Sequence, residues 1–378
     1  MMINMYKIIQ DTINGPIKID GIYNDIIDSP YFQRLRYIKQ LGMCYLVFPG
    51  ANHTRFEHSI GTMFMAMEIS NSLKIDGGKL QLAALLHDIG HPPLSHGIED
   101  VFYDLYKIKH EDLTLKIIKG EKPYDDSSIP DILKKYGYNP EEIGEIAIGK
   151  SKKNILLSNI ISGPIDVDEI DYLRRDAFFC GVTIGNIDYK RIFNTIKIEE
   201  NKIVGEEKSI VNIESAIITR ILMFNSVYFH KTCRIAQKMF GYAYYNNDDA
   251  DINDLKLNDF ELINKLLKGK SGGLIKNILK RNLYKIVYNN YYSSENYIEI
   301  KNKLSKFNKY DYIADIIPPL YFSGRDRVKN DIGVYYNGKK YRIDKISHIV
   351  KSLQKDVEKR KLIISAENNI YNDVKNSI

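Results

Sequence analysis

The run LAALLHDIGHPPLSH, residues 82–96, constrains this chain more than any other stretch. Leu82, Leu85, Leu86 and Ile89 recur at helical spacing and predict a buried helix. Gly90 followed by Pro92 and Pro93 forbids its continuation, so His87 and Asp88 belong on the last turn, with His91 and His96 past the break. The chain has 8 histidines in 378 residues, and His53, His58, His87, His91, His96 and His110 all fall in one short span. A single histidine near a helix end is ordinarily a cap or core residue. This clustering points to a site.

The flanking segments place further polar groups on helices. Asp28 opens DSPYFQRLRYIKQLG, where Phe32, Leu35, Ile38 and Leu41 predict one helix ending at Gly42. Thr54 and Glu57 have capping-box spacing ahead of the stripe Phe56, Ile60, Phe64 and Met67, which puts His58 in a first helical turn. In GPIDVDEIDYLRRDAFFCG, Asp166 and Glu169 have the same spacing, and Ile170, Leu173 and Ala177 form the buried stripe. Asp168, Asp171, Tyr172 and Asp176 then share another face. Residues 196–213 read as a short hairpin, followed by one long helix to residue 245, and VYYNGKKYRI (334–343) has the Asn-Gly turn of a hairpin. The Asn/Asp-rich residues 244–259 read as a surface connection. The expected fold is mainly α, a helical core with small antiparallel β hairpins. The expected units are a catalytic domain over 1–245 and a mixed α/β C-terminal lobe over 246–378, packed on that core.

Composition narrows the class. The apolar share is 44% and no apolar run is expected to cross a bilayer, so a soluble chain without a membrane partner is anticipated. The first residues lack the pattern of a secretory signal, and Cys44, Cys180 and Cys233 are too few and too scattered for a disulfide framework or a metal knuckle. A reducing cytoplasm is the expected location. The net charge of +6 arises from 54 basic against 48 acidic residues, so nucleic acid is a conceivable partner but not a favoured one.

Imidazole nitrogens and carboxylate oxygens are what a catalytic divalent metal takes as ligands, and His87 with Asp88 can both ligate where a helix end splays them. His58 and Asp168 would complete the set, although a helix-start carboxylate such as Asp168 is by itself unremarkable. The ligand types admit manganese, magnesium, iron or zinc.

HTRFEHSIG (53–61), LLHDIGHPPLSH (85–96) and IDVDEIDYLRRD (165–176) resemble the HD-domain phosphohydrolases, named for the His-Asp doublet. Residues 26–61, IIDSPYFQRLRYIKQLGMCYLVFPGANHTRFEHSIG, are similar nearly phrase for phrase to the deoxynucleoside-triphosphate triphosphohydrolases of that superfamily. The similarity is clear over about residues 8–195, weaker through 227–239, and resumes at LIKNILKRNLYKIVY (274–288). No sterile-alpha-motif module is expected upstream.

The resemblance implies hydrolysis of a dNTP to deoxynucleoside and inorganic triphosphate, by attack at the α-phosphorus. His58, His87, Asp88 and Asp168 would hold the metal, and Arg55 would reach the same phosphate. A 5′ alkoxide leaves slowly without a proton, and His96 is the candidate acid. By resemblance His91 contacts phosphate, while Glu99 and His110 support His96. Gln40, Leu41, Tyr172 and Asp176 match the positions that receive the deoxyribose. The family pattern also puts Glu169 where a lysine is usual and matches Phe224 and Thr232 to an arginine and a tyrosine, leaving Arg220, Lys231 and Arg234 as candidates for the triphosphate tail. Asp28, Gln33 and Arg36 match positions that bind an activating guanine nucleotide, GTP or dGTP, between subunits, which would require a homo-oligomer, dimer or tetramer. The alternatives are an HD phosphohydrolase or phosphodiesterase acting on another nucleotide, and a nucleotide-regulated nucleic-acid-binding protein.

Overall fold

The structure is a computed structural model, and it describes residues 6–318, 332–357 and 360–378. Helices dominate. An N-terminal hairpin pairs Lys7–Asp11 with Gly15–Ile19. Four helices, Arg55–Leu73, Gly78–Leu86, His96–Tyr106 and His110–Lys119, then build the centre together with the later helix Val167–Cys180. Their apolar faces meet in one core that includes Phe56, Ile60, Leu82, Leu85, Leu86, Ile98, Leu113, Ile170 and Leu173. The same core runs on through Leu255, Leu262, Leu266, Ile275 and Ile278 of the C-terminal part. Two smaller cores lie beyond it, under the other sheets.

Those sheets are small. Ile196–Glu199 and Lys202–Gly205 form the expected hairpin, and Gly333–Tyr336 with Lys339–Arg342 forms the other, turning at Asn337 and Gly338 with left-handed φ of 49° and 73°. A parallel pairing of Val204 with Gly333 and Gly205 with Val334 joins them, a junction no local pattern reveals. A third sheet puts Lys361–Ala366 between Lys285–Tyr291 and Tyr312–Ile317, all antiparallel.

Several local expectations change. The helix expected from Asp28 to Gly42 is only Pro30–Arg34 plus one tight turn, capped at Ser29, and Asp28 instead ends the preceding helix Gly21–Ile27. At Ile38 the backbone becomes extended (φ −117°, ψ 110°) because Lys39 pairs with Thr54 and Gln40 N donates to His53 O at 3.0 Å. Gln40 and Leu41 therefore sit in a loop beside the start of the Arg55–Leu73 helix.

The single helix expected up to 245 is two, Ile210–Met223 and Lys231–Tyr245, separated by a wide π turn at Phe224–Tyr228 and extended backbone at His230. Eight residues of regular α-helix would leave Arg220 and Tyr228 about 80° apart around the axis. The wider turn narrows that angle and lets both reach Tyr172. Contrary to the expectation of no spanning-length run, Glu207–Tyr228 is long and apolar enough to cross a membrane by length and composition. In the fold it packs Ile213, Ile217 and Ile221 against a core and pairs Arg220 with Glu169. Residues 244–259 are also more than a surface connection, since Asn247, Asp254, Leu255 and Asp259 are buried.

Candidate active site

Thr54 and Glu57 close the expected capping box, which fixes the start of the Arg55–Leu73 helix and places His58 in its first turn. The helix Gly78–Leu86 ends at His87, where Thr114 Oγ1 takes over capping by donating to His87 O at 3.1 Å. Asp168 enters from the first turn of Val167–Cys180, whose N-cap Asp166 accepts from Glu169 N at 2.6 Å. The Glu169 side chain does not return to that cap. It forms an ion pair with Arg220 instead.

These helix ends bring the four proposed ligands together. His58 Nε2 lies 3.0 Å from Asp168 Oδ1 and 3.6 Å from Asp88 Oδ2, and His87 Nε2 lies 3.5 Å and 3.4 Å from oxygens of the same two residues. Both Nε2 atoms are buried and neither is hydrogen-bonded. Buried polar atoms without partners are costly, so a convergent set of them is what a cation would satisfy. His58, His87 and Asp88 offer ligand atoms within 4.8 Å of one another. The donor set fits a divalent metal.

The imidazoles are oriented from behind. His58 Nδ1 hydrogen-bonds Asp171 Oδ2 at 2.9 Å, and His87 Nδ1 contacts Ala84 O at 2.7 Å, arrangements that direct each Nε2 lone pair inward. Asp171 is itself held by Arg175 at 2.9 and 3.0 Å, and Arg175 reaches Asp11 of the N-terminal hairpin at 2.8 Å. Burial alone would raise the Asp171 carboxyl, but Arg175 and His58 hold it well below the usual range.

Arg55 donates to Asp88 through Nη1 and to Ser95 Oγ through Nε at 2.9 Å. Its Nη2 is buried without a partner, a donor free to meet a phosphate oxygen. His91 Nε2 sits 3.1 Å from Asp88 Oδ1, and burial together with the Arg55 cation pushes its imidazole well below its ordinary value. His91 stacks on His110 at 4.1 Å, and His96 meets both rings edge-on. Glu99 links the group, accepting from His96 Nδ1 at 2.7 Å and from His110 Nδ1. Its carboxyl is raised by burial but held far below its usual value by these histidines. The His96 side chain is 54% exposed.

Next to these four side chains, the Tyr172 ring stands edge-on to His58 at 6.4 Å and to Tyr228 at 6.0 Å. Tyr228 donates to Asp176 Oδ2 at 2.6 Å, and His53 Nε2 bonds Asp176 Oδ1 at 2.6 Å. Gln40 is buried with its Oε1 unpartnered, and Leu41 is half-buried. Sequence reasoning missed Tyr228 and gave His53 no role. The positions matched to the family arginine and tyrosine, Phe224 and Thr232, do not supply them: Phe224 packs on Tyr228 at 4.8 Å, and Thr232 lies beyond the break on the next helix. Arg220 and Tyr228, eight residues apart, instead bring an arginine and a tyrosine to Tyr172, at 3.4 Å from its hydroxyl and 6.0 Å between rings. Arg234 is occupied by Asp315 at 2.6 and 2.7 Å, and Lys231 starts the helix after the break.

Asp28, Gln33 and Arg36 each have a partner inside the chain. Asp28 pairs with Lys7, Gln33 accepts from Arg36 Nε at 2.8 Å, and the Arg36 guanidinium lies 3.5 Å over the Phe56 ring.

Residues 55–176 match the HD domain family model and residues 187–316 match the HD associated region. The chain belongs to the HD-domain family. This HD protein is 40% identical over 301 residues to an uncharacterised protein of Methanocaldococcus jannaschii, covering 78% of this chain and 62% of that one. It is 33% identical over 319 residues to the deoxynucleoside triphosphate triphosphohydrolase SAMHD1 homolog of Dictyostelium discoideum, covering 74% and 60%. The HD protein thus spans about three-fifths of the length of these curated relatives. A solved structure of a hypothetical protein from Aquifex aeolicus superposes with a TM-score of 0.85 at 32% identity, covering 99% of this chain and 100% of that one.

Proposed function

We propose that the chain is a divalent-metal-dependent phosphohydrolase that cleaves deoxynucleoside triphosphates to deoxynucleoside and inorganic triphosphate. The observation that carries this reading is the convergence of His58, His87, Asp88 and Asp168 beside a Glu99-linked histidine cluster on one side and a Tyr172–Tyr228–Asp176 wall on the other. A divalent cation there supplies charge neutralisation at the phosphate and lowers the pKa of bound water. Arg55 Nη2 donates to the same phosphate, and His91, held through Nε2 by Asp88, packs beside it. His96, its Nδ1 committed to Glu99, presents Nε2–H to the departing 5′ oxygen. The tyrosine wall packs the sugar, with Asp176 and Gln40 available to its 3′-hydroxyl.

The deciding experiment incubates the purified chain with each dNTP and manganese, magnesium, iron or zinc, and resolves the products. Nucleoside with intact triphosphate is expected; orthophosphate with nucleoside diphosphate would reject the reading. A second reading, hydrolysis of a nucleoside monophosphate or cyclic nucleotide, is favoured by the Glu169–Arg220 pair, which neutralises a cation where a triphosphate tail needs one. Deoxy and ribo forms of all three substrate types in one panel separate the two. The reading extends to a cytoplasmic homo-oligomer in which Asp28, Gln33 and Arg36 take GTP or dGTP between subunits.

A further inference from the structure

Two irregular loops wall the proposed site. One, residues 38–42, carries Gln40, and the other, residues 87–95, leads through His91 into His96. They touch at a tight junction. Ser95 Oγ donates to Lys39 O at 2.8 Å and accepts from Arg55 Nε at 2.9 Å. Gly42 has a φ of 51°, and a Cβ there would lie 2.7 Å from Leu94 O, so the loops approach as closely as backbone allows. Leu94 and Ser95 both hold positive φ, 60° and 53°, which costs free energy for residues with side chains and persists only where neighbours over-determine it.

What holds the junction comes from the C-terminal part of the chain. Asp259, 2% exposed, accepts from Leu94 N through Oδ1 at 2.7 Å and from Lys39 N through Oδ2 at 2.9 Å. From the other side, Arg34 donates to Leu257 O at 2.9 Å, Ile89 O at 3.1 Å and His91 O at 2.8 Å. Asp259 is not needed to start its own helix, because Asn258 already caps Asp259–Lys268 by accepting from Glu261 N. Burying an ionised carboxylate is unfavourable unless its oxygens are hydrogen-bonded, and here both are committed to donors on the two site loops.

We propose that Asp259 is a positioning residue: its carboxylate ties the Gln40 loop to the His91–His96 loop and sets the distance between them across the reaction site. The inference rests on reading those loops as the walls of the substrate site. Burial pushes the Asp259 carboxyl up to about 6 in spite of the two amide donors, so at neutral pH it is ionised and accepts at both oxygens.

The test compares the full chain with Asp259→Ala, Asp259→Asn and Asn258→Ala, using amide hydrogen exchange as a readout independent of any substrate. In Asp259→Ala, exchange in residues 38–41 and 91–95 should rise at least about 10-fold while the Arg55–Leu73 helix stays protected. Metal content should be unchanged. On whichever nucleotide the wild type hydrolyses, kcat should fall roughly 10- to 100-fold, the cost of a misplaced acid, with a smaller change in KM. Asp259→Asn, which keeps the volume but turns an NH2 toward one donor, should show the same pattern more weakly, and it decides the question should the alanine chain not fold. Asn258→Ala weakens the same helix start and should leave both loops and kcat unchanged. Unchanged loop exchange in the Asp259 variants, or equal effects from Asn258→Ala, would overturn the proposal. A wild type that hydrolyses no nucleotide rejects the functional reading alone, because the exchange data still decide the clamp.

Discussion

His58, as a proposed metal ligand, can bind a cation only when its Nε2 carries no proton. In the metal-free protein burial pushes its imidazole down, but the Asp168 and Asp171 carboxylates more than reverse this and raise it from 6.5 to about 10. A raised folded value means the charged His58 stabilises the fold fully below pH 6.5, and that contribution is lost as pH rises through about 10. Metal entry has to displace the proton, so binding at pH 7 is expected to release protons and to tighten with rising pH. Calorimetry in buffers of different ionisation enthalpy measures this; net proton uptake would refute it. Asp171→Asn keeps the shape but weakens the support behind His58, and is expected to lower metal affinity roughly 10- to 100-fold, read by metal analysis after dialysis against graded chelator. His96→Ala should leave metal content intact while lowering kcat by about 10²- to 10⁴-fold. Most of that loss should vanish on a nucleoside 5′-p-nitrophenyl phosphate, whose leaving group needs no proton. Undiminished loss there would remove His96 from its assigned role.

Between elements, the closest approach that matters is the crossing of Arg55–Leu73 with Val167–Cys180. A Cβ on Gly61 would lie 2.1 Å from Asp171 Oδ1 and 2.2 Å from Arg175 Nη2, so the glycine is what lets the carboxylate sit behind His58. Gly61→Ala gains helix propensity of about 1 kcal/mol, yet overpacking costs roughly 1–3 kcal/mol and displaces the Asp171–Arg175 pair. The expected outcome is a lower urea midpoint together with weaker metal retention, whereas a surface Gly→Ala of equal propensity would raise the midpoint. The elements also show where local pattern fails. Capping at Thr54 and the Asn337–Gly338 turn was legible because both depend on residues within a few positions of one another. The truncated helix at 34–38 and the π turn at 224–228 were not, because each answers a partner distant in sequence: Thr54 in one case, Glu169 and Asp176 in the other.

For the whole molecule, the N-terminal hairpin and the C-terminal helices both feed the central site, through Asp11 to Arg175 and through Asp259 to the two loops. If Asp28, Gln33 and Arg36 take a guanine nucleotide between copies, GTP or dGTP should raise both activity and particle size in sedimentation. Arg36→Ala should abolish both responses without altering metal content, and an unchanged particle size with GTP would count against the regulatory site. The sequence by itself determined the helical class, the helix end before Pro92 and Pro93, and the proposal of His58, His87, Asp88 and Asp168 as a ligand set, since helix periodicity, caps and ligand chemistry are local properties. Only the tertiary structure decided that Tyr228 and Arg220 meet at Tyr172, that Glu169 neutralises the latter, and that Asp259 holds the loops. Each depends on a backbone path bent by distant hydrogen bonds and packing, which no window of neighbouring residues encodes.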